Sequence, residues 1–394
     1  MDVLDLARTQ FAVTGSLHFL FVVLTLGLAP LIAIMHTRYA ITGKPVHERA
    51  TRFWGQIYVI NYALGILTGL VMEFQFGMNW SGLSHYAGDV FGAPLAIETL
   101  GAFFLESTFL GLWIFGWHRL PKWLHVACIW VVTLTAYASA FWIMVANSFL
   151  QNPAGAVEGD GHLVLTDFGA LLTNPMLTMA LPHVLGAGLW AGGFVLMGAS
   201  AYQLFRRTAE REFFTSSLRT GVITSLVGSL ITVGFGYAQF GPISLFQPDK
   251  FNGGGLSAWA LGFMIAIGQL LQFLIMLVLA PTVYWLPRWR WAHPLLIAIT
   301  PLPFVAAILG WLARESGRQP WMINGRLTVA DAMSPGLTSQ MVTVSLIAFG
   351  GVLALLAVID YVLIARTVRR GPAATTLGAD APADPTERAH ALSH

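Results

Sequence analysis

Five side chains that can act as ligands to haem iron lie far apart in the sequence, each within or beside an apolar segment. They are His18, Glu98, His183, Met264 and Glu315. A single histidine can hold a haem with one iron face open, whereas a His/Met pair closes both faces and suits electron transfer. Taken singly, each has an ordinary structural role: an interfacial His is commonly a hydrogen-bonded group, a Met commonly packs, and a Glu can reach the membrane surface. Haem chemistry therefore requires a fold that brings them to one place.

The amino-acid composition indicates whether these segments face water or lipid. The 394-residue chain is 56% hydrophobic and only 10% charged, with a mean hydropathy of +0.68. Soluble domains average about 25% charged residues, so most of this surface must face lipid. The basic residues form no nucleic-acid patch, and the single cysteine, Cys128, excludes a disulfide framework and a multi-thiolate metal site. The chain is therefore predicted to be an all-α integral membrane protein.

Hydropathy over a window of about 19 residues predicts nine transmembrane helices. The eighth is interrupted by three prolines, which a membrane helix tolerates when its neighbours satisfy the freed carbonyls. Residues 1–370 are predicted to form a single polytopic haem-binding membrane domain, and residues 371–394, rich in Ala, Pro, Thr and Asp, a disordered cytoplasmic tail. The predicted spans are 11–35, 54–76, 94–117, 124–148, 181–204, 219–239, 257–280, 292–313 and 340–365.

The distribution of Lys and Arg predicts the orientation of the bundle. Sixteen of these residues lie in one set of loops together with the C-terminus, and five lie in the other set. Basic residues stay on the cytoplasmic side, so the N-terminus is predicted outside and the C-terminus inside. The five on the predicted outer side are Arg8, Lys250, Arg314, Arg318 and Arg326.

With this orientation the five candidate ligands share one depth. His18 lies about two turns into the first span, Glu98 about one turn into the third, and Met264 about two turns into the seventh, all counted from the outer side. His183 opens the fifth span and Glu315 follows the eighth. All five lie within roughly 10 Å of one membrane surface at 1.5 Å per residue. This shared depth favours a haem site over five unrelated structural roles.

Other polar residues extend the predicted site inward. Glu106 lies eight residues beyond Glu98 on the third span, on the same broad face. A carboxyl group buried in a membrane can carry protons. Ser139 and Asn147 on the fourth span could serve the same route or could simply join helices by hydrogen bonds.

Four segments that contain or flank these residues resemble subunit I of the cytochrome bd-type oxygen reductases. The resemblance runs from about residue 8 to residue 319 in the order expected for the family. It implies an oxidase that reduces O2 to water without copper and works with a second membrane subunit. The segments are GLVMEFQFGMNW (69–80), FGAPLAIETLGAFFLE (91–106), ANSFLQNP (146–153) and GWLARESGRQPW (310–321).

The resemblance implies a role for each haem ligand and its neighbours. His18 matches the family's ligand to one member of a high-spin haem pair, and Glu315 matches the carboxylate at the other member. Trp311 and Arg318 match residues that flank the pair, the arginine being suited to haem propionates. The expected pair is a high-spin haem b with a haem d, or with a haem b in its place.

The resemblance also implies the electron entry point and the proton route. His183 and Met264 match the axial ligands of a low-spin haem b. Glu98 matches the acid beside the oxygen-reducing haem, and Glu106 the next acid on its proton route. The implied partners are subunit II, small single-helix subunits, membrane lipid and quinol. The implied location is the bacterial cytoplasmic (inner) membrane, with several crossings.

The sequence departs from the family where quinol is expected to bind. Quinol-oxidising members carry a long outer loop between spans six and seven, with a Lys and a downstream Glu. Here the link is only residues 240–256, with Lys250 and no Glu, so the chain is a short variant. The family's Arg two residues before the Met ligand is Gly262. We therefore expect that quinol oxidation is weak, or that it depends on a different site or on a partner protein.

Two other functions are compatible with the residues alone. The chain could be a haem b electron-transfer subunit that feeds a different acceptor. It could also be a proton-coupled transporter, with the intramembrane acids and the proline-broken helix on a substrate path. The gathering of His and Met at one face and the lack of a convincing internal repeat argue against transport.

Overall fold

The computed structural model describes residues 2–252 and 254–379 and is almost entirely helical. Within these residues, nine helical segments are long and apolar enough to cross a membrane, so the predicted all-α fold with nine spans is confirmed. The helices are α1 (Val3–Thr42), α2 (Pro45–Asn79), α3 (Ser81–Ile97), α4 (Phe104–Phe115), α5 (Lys122–Gln151), α6 (Phe168–Leu172), α7 (Pro175–Phe205), α8 (Arg211–Ala238), α9 (Phe240–Phe246), α10 (Asp249–Asn252), α11 (Leu256–Leu274), α12 (Ala292–Ile299), α13 (Leu302–Ser316) and α14 (Ser339–Arg370).

Two of the nine spans are irregular. The third runs from α3 into α4 through a π-helical segment, Glu98–Phe103, and has a kink at Ala87. The eighth is divided into α12 and α13 at Pro301, as its prolines predicted. A second π-helical segment, Ile275–Leu279, extends α11.

Several helices extend beyond the apolar runs, and this changes the position of four predicted site residues within their helices. His18 lies about four turns into α1, and Glu98 lies about five turns into the segment Ser81–Phe115, against two turns and one turn in the prediction. α7 begins at Pro175, where Asn174 caps it by accepting from the Met176 N–H. His183 therefore lies more than two turns inside this helix, whereas the sequence placed it at the opening of the span. Glu315 lies in the last turn of α13 rather than after it. The last turn of α13 is polar and carries no hydropathy signal, whereas α7 begins in an apolar stretch before Pro182, and this proline lies inside the helix rather than near its start.

The helices that carry His18 and His183 cross at glycines. A Cβ built at Gly27 of α1 would lie 2.1 Å from the carbonyl oxygen of Gly188 on α7, and one built at Gly192 would lie 2.8 Å from the Gly27 carbonyl carbon. Only glycine allows this backbone approach, as is common between membrane helices. Because Gly27 follows His18 by the same number of residues as Gly192 follows His183, the two histidines have similar depths.

The short strands cap one end of the bundle. β1 (Ala156–Gly159) pairs antiparallel with β2 (His162–Leu165), and β3 (Trp321–Ile323) pairs with β4 (Leu327–Thr328). Two short 3-10 helices, Leu286–Arg288 and Pro372–Ala374, complete the described elements. A hydrophobic cluster beneath the hairpins is separate from the larger cluster that fills the rest of the bundle. The end with the hairpins is the predicted outer end.

The start of the predicted disordered tail is ordered. Residues 371–379 pack against the opposite end of the bundle, where Leu377 is buried. The Gln56 side-chain oxygen accepts from the Thr376 N–H at 2.8 Å and from the Leu377 N–H at 3.2 Å. These contacts explain the order despite the polar composition. The remainder of the predicted tail, residues 380–394, lies outside the described residues.

Candidate active site

One cavity of about 1020 Å³ opens within the bundle. Its volume is at the top of the range of roughly 300–1,000 Å³ that ligand pockets usually have. The structure brings all of the predicted site residues to its wall: His18, Glu98, Glu106, His183, Met264, Trp311, Glu315 and Arg318. Most of the lining is apolar, which suits a flat macrocycle held by a few polar groups.

His18 is held in the tautomer that iron binding requires. Its Nδ1 lies 2.8 Å from the Thr68 hydroxyl, and that hydroxyl donates its own proton to the Gly65 carbonyl at 2.6 Å. The hydroxyl can therefore only accept from His18, so the ring proton is on Nδ1. Nε2 is left with its lone pair for a metal, which is the arrangement of ligating histidines.

His183 has the same arrangement with a backbone partner. Its Nδ1 donates to the Thr232 carbonyl of α8 at 2.7 Å, because a carbonyl can only accept. A Cβ built at Gly236, one turn further along α8, would lie 3.1 Å from the same nitrogen. The glycine therefore gives the imidazole room, and Nε2 again keeps its lone pair.

Met264 is packed against a glycine on the neighbouring helix. A Cβ built at Gly310 of α13 would lie 2.7 Å from the Met264 sulfur. The thioether thus lies in a gap that α13 leaves open and lines the same cavity as His183.

Glu315 is fixed at both carboxylate oxygens. The Asn147 side-chain amide donates to one oxygen at 2.7 Å, and the Arg318 guanidinium donates to the other at 2.9 Å. Arg318 is only 5% exposed, and its Nη1 has no hydrogen-bond partner among the described residues. A buried donor without a partner is costly, so this nitrogen fits an acidic group of a bound cofactor.

Trp311 lies in the cavity wall, with its ring packed against α1. A Cβ built at Gly15 of α1 would lie 2.6 Å from the Trp311 ring, and the ring centroid lies 5.7 Å from that of Phe11. Gly15 is therefore required for the indole to lie against α1.

The two acids of the predicted proton route flank the π-helical segment. The Ser139 hydroxyl donates to Glu98 at 2.5 Å, and the Tyr58 hydroxyl donates to Glu106 at 3.4 Å. A π-helical turn contains more residues than an α-helical one, which reduces the rotation between the two glutamates. Both carboxylates consequently line the one cavity.

The donors of the cavity fit haem groups. Two histidines offer free Nε2 atoms, a thioether and a carboxylate stand on two further helices, and Arg318 has an unpaired buried donor. His and Met are established axial ligands of haem iron. Within residues 2–252 and 254–379 no cluster of three or more His, Cys, Asp or Glu could hold a separate metal ion.

Lys250 of the short link between α9 and α11 points inward. Its Nζ donates to the Arg314 carbonyl at 3.1 Å and lies 3.5 Å from the Gln151 side-chain oxygen. Burial, reinforced by the charges of Arg314 and Arg318, lowers the pKa of Lys250 to about 7. The only lysine of the predicted quinol-binding link is thus part of the cavity wall. By contrast, Gly262 is exposed on α11, and a Cβ built there would contact none of the described residues within 4 Å.

The sequence did not single out several residues that hold the site. Thr68 and Thr232 orient the two histidines, and Arg314 lies at the cavity wall beside Glu315. No motif marks Thr232, because it acts through its backbone. Asn147 was assigned equally to a proton route or to helix joining, whereas the structure pairs it with Glu315.

The family profile described as cytochrome bd terminal oxidase subunit I matches residues 6–253 and 255–372. The chain belongs to this family. The bd family assignment makes it subunit I of a terminal oxidase, a haem-containing respiratory oxidoreductase and a multi-pass bacterial membrane protein. It also decides against the transporter and the separate electron-transfer subunit.

Individual relatives agree with the bd assignment. The chain is 35% identical to "Cytochrome bd ubiquinol oxidase subunit 1" of Bacillus subtilis (strain 168) over 448 aligned positions, which cover 94% of each protein. It is 48% identical to "Cytochrome bd-II ubiquinol oxidase subunit 1" of Escherichia coli (strain K12) over 248 positions, covering 62% of this chain and 47% of that protein. The bd oxidase structure from Geobacillus thermodenitrificans shares the fold, with a TM-score of 0.86, 23% identity and coverage of 94% of this chain and 99% of that one.

Proposed function

We propose that the cavity holds the three haems of a bd-type oxidase, which reduces O2 to water with electrons from quinol. The observation that carries this proposal is that eight predicted residues from five spanning segments line one cavity. When bound, the haem irons supply electron transfer and the binding of O2.

His183 and Met264 are the residues that would bind the iron of a low-spin haem b. His18 and Glu315 are the proposed ligands of a high-spin pair, a haem b with a haem d or with a second high-spin haem b. Thr68 and Thr232 keep the imidazoles in their ligating tautomers. Such second-layer hydrogen bonds orient metal ligands and tune the metal.

Glu98 and Glu106 are the proposed proton carriers, because reduction of O2 to water consumes protons as well as electrons. Ser139 holds the Glu98 carboxylate at the cavity wall, and Tyr58 contacts Glu106 deeper in the bundle. A carboxyl group positioned within hydrogen-bond reach of its partners is an effective proton donor and acceptor.

The proposed electron donor is a quinol, as the names of the two ubiquinol oxidase relatives suggest. We place its site away from Lys250, because the Lys250 ammonium is engaged by Gln151 and by the Arg314 carbonyl. A different donor remains the second candidate, favoured by the short link.

The complete enzyme is proposed to contain a second membrane subunit and small single-helix subunits in the bacterial inner membrane. α11 and α14 support this arrangement, because both expose long apolar faces. The orientation with the N-terminus outside is proposed from the Lys and Arg distribution.

The purified complex tests the proposal directly. We expect a Soret band and a reduced-minus-oxidised spectrum with low-spin and high-spin haem signals. Oxygen uptake should saturate with ubiquinol or menaquinol analogues and keep the same KM in Lys250→Ala. A colourless complex would contradict the haem assignment. Rapid uptake with an artificial reductant but none with quinols would replace quinol by another donor, and a large rise in KM in Lys250→Ala would restore Lys250 to the quinol site.

A further inference from the structure

Arg314 is a cation at the cavity wall whose charge no described acid neutralises directly. Its guanidinium donates from Nε to the Asn147 amide oxygen at 2.5 Å, and it lies 3.3 Å from the Ser148 hydroxyl and 3.4 Å from the Gln239 amide oxygen. All three partners are neutral. Among the described residues no carboxylate lies within ion-pairing distance of Arg314, although its side chain is half-buried and lines the cavity.

The surroundings of Arg314 carry an excess of positive charge. Arg318, Lys250 and Glu315 are the charged groups that act on one another here. The one carboxylate is already paired with Arg318 at 2.9 Å. Two arginines and a lysine that is only partly charged at neutral pH thus share one carboxylate beside the cavity, and unpaired charges away from water are costly. The cluster therefore requires further anionic groups.

The location of Arg314 identifies the source of those anions. It lies one turn after Gly310, which packs against the Met264 sulfur, and its Nη1 contacts Gln239, about one turn beyond the glycine that packs against His183. A haem carries carboxylate side chains, and a guanidinium fork binds a carboxylate through two parallel hydrogen bonds. Nη1 and Nη2 make only long contacts within the protein, so both have capacity for such a partner.

We propose that Arg314 anchors a propionate of the low-spin haem and supplies the positive charge that sets its reduction potential. This inference rests on the proposed function. A nearby positive charge favours the reduced iron, which carries one charge less than the oxidised iron. Arg314 consequently raises the midpoint potential of the low-spin haem and favours electron acceptance there.

The test uses the purified complex with Arg314→Gln, Arg314→Lys and the control Arg326→Gln. Arg326 is an exposed arginine near the same end of the bundle, paired with Glu158 at 3.4 Å. We expect Arg314→Gln to shift the one-electron equilibrium of the low-spin haem at least tenfold toward the oxidised form. This corresponds to a fall of at least about 59 mV in its midpoint potential. Redox titration followed in the low-spin band measures this shift. Arg326→Gln should leave the potential unchanged.

Arg314→Lys separates the anchor from the charge. The lysine keeps the positive charge but lacks the two parallel donors of the guanidinium. We therefore expect a nearly unchanged midpoint potential and loss of the low-spin haem at a lower temperature than in the wild type. Loss of that haem alone in Arg314→Gln would also support the anchor. An unchanged potential in a fully loaded Arg314→Gln complex overturns the proposal. Should that variant fail to assemble, an Arg314→Lys complex that keeps its haem as well as the wild type overturns the anchor. Absence of haem from the wild-type complex would instead contradict the proposed function.

Discussion

The sulfur of Met264 occupies the space that a side chain at Gly310 would need, because a Cβ at that position would lie 2.7 Å from it. Gly310→Ala should therefore displace the thioether. We expect the low-spin haem signal to shift toward a high-spin form and its midpoint potential to change. Optical spectra of the reduced complex measure the spin state. Gly262→Ala is the matched control, since its new methyl group would lie within 4 Å of no described residue. Identical spectra for both variants would remove Met264 from the ligand set.

His183→Ala should abolish the low-spin haem signal and leave the high-spin pair largely present. The reason is that the imidazole, held by the Thr232 carbonyl, is the proposed nitrogen ligand that is paired with Met264. The pyridine haemochrome content should fall by about one haem in three, if each complex holds three. His85→Ala, at an exposed site, is the control. A His183→Ala complex with a complete low-spin spectrum would show that another residue is the ligand.

Glu98→Gln and Glu106→Gln should each lower oxygen uptake by about 100-fold with little loss of assembled complex. An amide keeps the size and hydrogen bonding of the carboxyl group but cannot carry a proton, and general acid–base groups contribute about 10²–10⁴-fold. The haem content measures assembly separately from turnover. Glu212→Gln, at the exposed start of α8, should turn over normally. Full turnover in both site variants would make the two acids structural.

Lys250 should make the stability of the protein depend on pH between 7 and 10.5. Its pKa is about 7 in the folded protein against 10.5 in an unfolded chain, so the unfolded state binds more protons in this range and stability rises with pH. Lys250→Met removes this contribution. The unfolding temperature of the variant should therefore rise relative to wild type, by several degrees, as the pH falls from 10 to 7. Lys44→Met, at an exposed position, should show no such trend. A pH-independent difference for Lys250→Met would contradict the buried position of the lysine.

The nine spans could be predicted because they depend only on hydropathy. The helix ends could not be predicted, since nothing in the apolar stretch around Pro182 shows that α7 begins at Pro175 rather than near Leu181. Contacts between side chains of different helices could not be predicted either. The pairing of His18 with Thr68, or of Asn147 with Glu315, depends on how each helix is rotated about its axis. The π-helical segment at Glu98 alters that rotation locally, and nothing in its composition indicates it.

The contact between Gln56 and Thr376 joins positions 320 residues apart. Gln56 is synthesised early and Thr376 close to the end of synthesis. The hairpin formed by α1 and α2 is therefore in the membrane before the segment that packs against it has been made. Bringing such distant positions together carries an entropic cost that grows slowly with the length of the chain between them. This end of the bundle is consequently closed late in biogenesis, and a chain cut before residue 371 would insert its nine spans yet lack the buried Leu377.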